Sequence, residues 1–456
     1  MTFKQLGKKS VRGAAVSAAV ISAFSPITAQ QNPNIILIMT DQQTADAMSN
    51  RGNPYVKTPA MDALAKEGVS FTRAYCAYPL SGPSRASLIT GKMPVEIKVL
   101  ENDDPLPEKE IPQTLGFRMT EGGYDCLYAG KWHIPNVDIP EQGFGFKKVC
   151  GMDDRIMAEK IDKALSVKRE KPFFLVASYL NPHEICEYAR SQTLHYGEIT
   201  IPDKAILPPL PPNHNTIAQL PELLMLHKEM SPKLYPTRLY TPKDWQEYLY
   251  TYYRLVERVD KAVGDLISVL KKHGVYDNSV IIFTSDHGDG VAAHRWNQKR
   301  ALFEETINVP LIVKPVKSNQ PVKKNQSAAL VNIGTDIYTT VCDYGNVTVP
   351  QELNGKSLKN VVEGKTTVLH PSISVETHLD GIDGRAWAVI TDDYKYVFYR
   401  FFKYKEQLFD LRADKGETRN LVNNANYKSV RLEMRKKLLE HAKQLNDRML
   451  IKDLSN

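Results

Sequence analysis

Two acidic stretches follow apolar runs: Thr40-Asp41-Gln42-Gln43 after NIILIM, and Asp286-His287-Gly288-Asp289 after VIIFTS. In open parallel sheets, ligands bind outside the carboxyl ends of the strands. Two acidic strand ends could therefore meet on one cation. Carboxylates with an amide oxygen suit a hard ion such as Ca²⁺. His287 is a softer ligand and leaves the choice open between Ca²⁺ and another divalent ion. Each stretch alone reads equally as a strand-end aspartate that caps the following helix. A third stretch runs from Ser81 through Gly82, Pro83, Ser84 and Arg85 to Thr90 and Gly91. Pro83 fits the first position of a helix capped by Ser81 or Gly82. Such a helix start attracts anions. Arg85, one turn on, could reach back and hold two oxygens of the same anion. A plain capped helix is the alternative.

These residues need a scaffold that brings them together. Asn34–Thr40, Phe173–Tyr179, Val280–Ser285 and Val309–Val313 are apolar without polar alternation, the pattern of parallel strands buried on both faces. Thr58-Pro59 starts a helix that Gly68 ends, and a long helix runs from about Trp245 to His273 with Gly274 as its stop. Strand–helix alternation of this kind predicts a doubly wound α/β sheet. Residues 184–240 are rich in Pro, Tyr and His and predict a long surface excursion, the kind of segment that tends to be functional. From about Pro350 the character changes. Residues 387–401 predict a β-hairpin turning near Asp392-Asp393, residues 406–421 another short strand and a loop, and Tyr427–Leu450 an amphipathic helix. Together these predict a smaller C-terminal α+β subdomain over 350–456. The Tyr-rich stretch 248–253 reads as helix core plus exposed rings, not as a sugar platform.

The chain has 456 residues, 42% hydrophobic and 24% charged, an ordinary globular composition. Net charge is +7, and Lys4, Lys8, Lys9 and Arg12 carry part of it in a segment without acids. The mildly basic remainder predicts no nucleic-acid partner. That basic start, an apolar stretch from Ala14 to Phe24 and Ile27-Thr28-Ala29 have the layout of an export signal over 1–29. No Cys follows that stretch, and no later run approaches the ~20 apolar residues that span a bilayer, so no stable membrane anchor is expected. The five cysteines, Cys76, Cys126, Cys150, Cys186 and Cys342, fit neither a zinc spacing nor a disulfide scaffold.

The segment from Ser81 resembles the sulfatase family, whose motif is Cys or Ser, any residue, Pro, any residue, Arg, then Thr-Gly five residues after the Arg. Ser81, Pro83, Arg85, Thr90 and Gly91 fill it. Cys76 does not, because Leu80 lies where an Arg would be needed. Gly130-Lys131-Trp132-His133, Asn181-Pro182-His183, Asp286-His287-Gly288, the Gln298-Lys299 segment and Leu408–Leu411 resemble further family elements, so the similarity extends along 30–456.

The resemblance implies an alkaline-phosphatase-like α/β fold, with a catalytic domain over 30–349. It implies a sulfuric ester hydrolase in which Ser81 is converted to formylglycine. A serine at this position implies maturation by an anaerobic radical sulfatase-maturating enzyme. Asp41, Gln42, Asp286, His287 and modified Ser81 would hold Ca²⁺, although many members have Asp where Gln42 stands, and the neutral amide implies weaker binding. Arg85, Lys131 and Lys299 would balance the sulfate charge, His133 would hold the aldehyde hydrate, and His183 would protonate the leaving oxygen. Taken singly, Lys131, Lys299 and His183 are ordinary surface or loop residues. His294, His378 and Arg385 are further candidates for touching substrate, with structural or surface roles as the alternative. The implied substrate is a sulfated carbohydrate such as a glycosaminoglycan, mucin or other glycan, met in the periplasm or outside the cell. Two alternatives stay open: a phosphodiesterase or phosphonate monoester hydrolase on the same fold, and a non-catalytic binder of sulfated glycans in which Ser81 is never modified.

Overall fold

The computed structural model describes residue 2 and residues 32–134, 143–216, 220–318, 325–379 and 384–455. Apart from residue 2, the expected export signal lies outside them. Residues from Asn32 onward form one contact unit. Its centre is an eight-stranded sheet made of β1 (Asn34–Asp41), β2 (Val69–Phe71), β3 (Asp125–Gly130), β4 (Lys147–Cys150), β5 (Phe173–Pro182), β6 (Ser279–Ser285), β7 (Leu311–Lys314) and β8 (Gln326–Ser327). The order is β4-β3-β5-β1-β6-β7-β2-β8.

The three long apolar strands form where expected, because both faces of each are covered. Along β1, Ile35, Leu37 and Met39 enter one core and Ile36 and Ile38 the other. That alternation is the strand's own period of two. The second core lies under α1 (Pro59–Glu67), α3 (Met157–Leu165) and α4 (Pro242–Lys272), which contribute Met61 and Leu64, Met157 and Ile161, and Val259, Val263 and Leu266. The first core takes Ala86, Leu88 and Ile89 of α2 (Ser81–Thr90).

Two expectations about the sheet need correction. The run at 309–313 forms β7, which is antiparallel to both β6 and β2. A strand buried on both faces looks the same in either direction, so apolarity could not tell them apart. The stretch DCLYAG was not expected as a strand, yet β3 lies inside the parallel sheet beside β5.

Past residue 350, β9 (Ile373–Leu379), β10 (Gly384–Ile390), β11 (Tyr394–Tyr399) and β12 (Glu406–Asp410) form an antiparallel sheet in sequential order. One face joins the first core through Val375, Ala388 and Val397. The other lies under α5 (Lys428–Gln444) and α6 (Arg448–Ser455), where Trp387 and Phe398 meet Met434, Leu438 and Leu450. The single C-terminal helix expected from 427 to 450 is therefore broken. Asn446 takes a left-handed φ of 54°. Asp447 then caps α6, accepting from the Leu450 backbone N–H at 3.1 Å, and pairs with Arg385 at 3.0 Å. No helix among the described residues is long and apolar enough to cross a membrane.

His441 of α5 hydrogen-bonds Ser372 Oγ at 3.1 Å. Burial, with His370 nearby, pushes its pKa down to about 4 from an ordinary 6.5. As pH falls below 6.5 the unfolded chain takes up this proton first. The stability His441 contributes is thus complete above 6.5 and lost as pH falls toward 4. His441→Gln should flatten the fall in Tm across that window in thermal melts; an unchanged slope would count against this.

Candidate active site

Four neighbouring strand ends deliver most of the residues singled out above. β3, β5, β1 and β6 lie side by side and run parallel. Gly130 pairs with Ser178, Asp41 with Pro182, and Thr40 with Ser285. The residues that follow therefore share one end of the sheet: Lys131 and His133, His183, Gln42, and Asp286 with His287. Gly130 makes the first of these turns possible. Its φ is +97°, and a Cβ there would lie 1.9 Å from the Ser178 carbonyl oxygen.

α2 brings Ser81 to the same place. The helix starts two residues earlier than expected: Leu80 flanks it, Ser81 is its first residue and Pro83 its third. Neither Ser81 nor Gly82 is the cap. Instead the Gly82 N–H donates to Asn102 Oδ1 at 3.0 Å. Ser84 Oγ donates to the Asp286 carbonyl at 2.5 Å, which ties the helix to the end of β6. Ser81 is fully buried, and its Oγ lies 3.0 Å from His287 Nε2. His287 Nδ1 lies 2.8 Å from the Gly288 carbonyl and must carry the ring proton there. Nε2 then presents a lone pair. Burial and the charge of Lys299 push His287 down to about 3, so it stays neutral.

Arg85 turns its guanidinium to groups of the protein itself. Its guanidinium donates to Asp286 Oδ2 at 2.9 Å, Asp41 Oδ2 at 2.8 Å, Ser178 Oγ at 2.7 Å and the Lys131 carbonyl at 2.9 Å. It is 2% exposed. It bridges the two aspartates. Lys131 Nζ adds a second cation on Asp41 Oδ2 at 2.7 Å. Burial alone would raise the pKa of Asp41, but Lys131, His183 and Arg85 outweigh it and hold the carboxyl well below its ordinary range. Burial and the charge of Asp41 move Asp286 the other way. Two carboxylates that share one arginine titrate as a pair.

Asp41 Oδ1 is buried and has no hydrogen-bond partner. Ligand atoms of Asp41, Asp286 and His287 lie within 4.8 Å of one another, so the cluster could hold a metal ion. Two carboxylates, a neutral imidazole and an orphaned oxygen fit a divalent cation. Gln42 adjoins the cluster. Its N–H donates to Asp286 Oδ1 at 3.1 Å, and its Oε1 accepts from Lys299 Nζ at 3.2 Å.

His133 has a buried Nδ1 without a partner, and burial with Lys131 pushes its pKa down to about 3. His183 was expected to titrate near neutrality. Burial, Lys131 and Lys299 instead push it well below 6.5. Glu187 is its nearest carboxylate, at 3.8 Å.

The three candidates for substrate contact fall outside this cluster. His294 stacks on Phe303 at 4.2 Å and lies 3.0 Å from Thr216 Oγ1. With Glu305 and Glu417 it forms a second group of possible ligands, but Lys395 already pairs with Glu417. His378 Nδ1 lies 2.6 Å from Glu101, which also takes both terminal nitrogens of Arg300. For Arg385 a surface position stood against a reach over the site, and the structure shows neither. It is buried between Glu376 and Asp447, at 2.9 and 3.0 Å, with Trp387 beside it. Cys76, like the other four cysteines, is buried and unpaired, and burial pushes its thiol well up.

A family model described as Sulfatase matches residues 33–347, most of the chain. The chain belongs to the sulfatase family. A second model, N-sulphoglucosamine sulphohydrolase, C-terminal, matches residues 292–444 of this sulfatase. It is 26% identical to an N-acetylglucosamine-6-O-sulfatase of Bacteroides thetaiotaomicron, over 91% of this chain and 87% of that protein. A solved 2-O GAG sulfatase superposes with a TM-score of 0.77 at 27% identity, over 91% of this chain and 93% of that one. A phosphonate monoester hydrolase of Agrobacterium radiobacter also superposes with a TM-score of 0.77, at 23% identity over 91% and 96% of the two chains. That likeness concerns the fold alone. The architecture is the alkaline-phosphatase-like α/β fold that the resemblance implied, and the protein is a sulfuric ester hydrolase.

Several supporting residues escaped the sequence. Ser178 holds Arg85, Asn102 holds the start of α2, and Tyr252 OH donates to the Gln42 carbonyl at 2.8 Å. The Tyr248–Tyr253 stretch is helix core, as expected, but two of its hydroxyls brace the site. The four-residue spacing of Tyr248 and Tyr252 was the available signal.

Proposed function

We propose that this sulfatase removes sulfate from a sulfated carbohydrate through a formylglycine made from Ser81. The observation that carries the proposal is the position of Ser81. It starts a helix, its Oγ meets the lone pair of His287, and the Asp41–Asp286 pair and two lysines stand alongside.

A serine hydroxyl is a weak nucleophile. The hydrate of an aldehyde offers two hydroxyls on one carbon, one to attack sulfur and one whose proton loss later expels sulfate and restores the aldehyde. His133 has a free ring nitrogen with which to hold that hydrate. Lys131 and Lys299 face the charge that develops on sulfate, and fixed cations of this kind are usually the largest catalytic contribution. Arg85 acts by locking Asp41 and Asp286. His183 is neutral in the substrate-free site. The negative sulfate ester, brought between His183 and the two lysines, raises its proton affinity and suits it to protonate the leaving oxygen. Asp41, Gln42, Asp286, His287 and modified Ser81 would hold a divalent cation, with Ca²⁺ the best fit to the oxygen ligands; when bound, it supplies charge that makes the hydrate more acidic.

Conversion of a serine calls for an anaerobic radical maturating enzyme, and the layout of residues 1–29 for export to the periplasm or beyond. We place the catalytic domain over 30–349 and a C-terminal subdomain over 350–456. The test is sulfate release from 2-O-, 3-O-, 4-O-, 6-O- and N-sulfated monosaccharides and short glycosaminoglycan fragments, using protein whose Ser81 is shown by mass spectrometry to be converted. Release from one of them is the expected result. Silence throughout, with turnover of a phosphonate ester or phosphate diester, would overturn the proposal.

A further inference from the structure

Gln42 is fixed by every polar atom it has. Its φ is 70°, a left-handed conformation uncommon for a side-chain-bearing residue. Its N–H is taken by Asp286 and its carbonyl by Tyr252. The side-chain Nε2 donates to Asp289 Oδ2 at 2.7 Å. Oε1 accepts from Lys299 Nζ at 3.2 Å and from the Cys186 thiol at 3.3 Å.

Asp289 is fully buried and meets only donors. Tyr248 OH reaches both of its oxygens, at 2.9 and 3.0 Å. The Val291 N–H donates to Oδ1 at 2.8 Å and the Gln298 N–H to Oδ2 at 3.1 Å. Four donors and no acceptor describe a carboxylate, and a carboxylate accepts only. The Gln42 amide then has one permitted orientation. Turned over, its oxygen would face the Asp289 carboxylate and its NH₂ would face the Lys299 ammonium.

We infer that Asp289 is a positioning residue for the metal centre: it sets the Gln42 amide with nitrogen inward and oxygen toward the cation. The inference rests on the metal reading given under Proposed function. It also revises what the neutral amide implies. The negative charge that a carboxylate at position 42 would carry is still present, displaced by one hydrogen bond onto Asp289. Residues 42 and 289 therefore form a coupled pair, and a carboxylate at both positions would set two like charges at hydrogen-bond distance.

An isosteric charge swap tests this, read by calorimetric titration with CaCl₂ of the full chain carrying converted Ser81, which requires no turnover. Asp289→Asn removes the negative charge behind the Gln42 amide and sets an NH₂ against the donors at one of the two oxygen positions, Val291 on one side or Gln42 and Gln298 on the other. Calcium affinity should fall at least tenfold. In the double variant Gln42→Glu with Asp289→Asn, the carboxylate at 42 accepts from the amide at 289 and keeps its other oxygen toward the cation. Affinity should return to within about threefold of the parent protein. General damage at position 289 would weaken both variants alike, so rescue separates positioning from mere structure. Calcium binding by Asp289→Asn within threefold of the parent would overturn the inference, as would a double variant no better than the single one. If Asp289→Asn fails to fold while the double variant folds and binds calcium, the coupling stands; if neither folds, it falls. A parent protein that takes up no calcium would sink the metal reading itself, a result distinct from the others.

Discussion

Replacing Ser81 by Ala is expected to remove sulfate release on the order of 10⁵- to 10⁶-fold, the scale of deleting a covalent nucleophile. The fold should survive. Ser81 Oγ has one hydrogen bond, to His287, and a single buried hydrogen bond contributes only about 1 kcal/mol. Alanine also suits the first turn of a helix. The two readouts therefore separate: melting temperature within a few degrees of the parent, and no sulfate from the substrate that the parent cleaves. Retained turnover would end the formylglycine reading, because among the described residues Ser81 supplies the hydroxyl that meets His287 Nε2.

Arg85→Ala should be the most disruptive change at the site, and its signature differs. Arg85 joins Asp41 to Asp286 at 2.8 and 2.9 Å, all three buried. Without it two carboxylates face each other, with Lys131 as the nearest cation on one of them. Breaking a buried charge pair on one side costs about 3–5 kcal/mol. Metal-free protein should melt clearly lower. Added calcium should raise the Tm of the variant more than that of the parent, since the ion would then be the main link between the two aspartates. Turnover should fall on the order of 10²- to 10³-fold. A variant that melts like the parent in chelator would refute the proposed locking role.

The difference between these two residues marks how far the sequence could be read. Ser81 and Arg85 belong to one motif, and the spacing of one turn was visible. What Arg85 touches was not, because Asp41, Ser178 and Asp286 lie on or just past three different strands. β1, β5 and β6 were legible because burial on both faces leaves an unbroken apolar run. β3 was not: it is short, begins with Asp125 and ends with Gly130, and its place between β4 and β5 is set by pairing. The direction of β7 was hidden for the same reason that its existence was plain. Arg385 looked like a rim residue because charge normally faces water. Its two buried carboxylate partners, one on the neighbouring strand and one between α5 and α6, leave no local trace. Asp289 sat in plain view after His287, but its meaning depends on Gln42, a partner on another strand end.

The burial of Ser81 sets a constraint on timing. It lies in a regular helix whose residues from Ser81 to Thr90 are all buried. Just beyond, the Val95 N–H donates to Glu376 at 3.0 Å, Glu376 pairs with Arg385, and Arg385 pairs with Asp447, nine residues from the last residue of the chain. A modifying enzyme must take the Ser81 segment into its own active site, and a helix buried along its whole length is not presented that way, although a small ester can still reach its first residue. Any chemical change at Ser81 must therefore compete with folding, including the closing of this network. The yield of modified protein then becomes a ratio of two rates. A variant that slows docking of the C-terminal helices, without changing the site, would raise the modified fraction whenever the modifying enzyme is scarce.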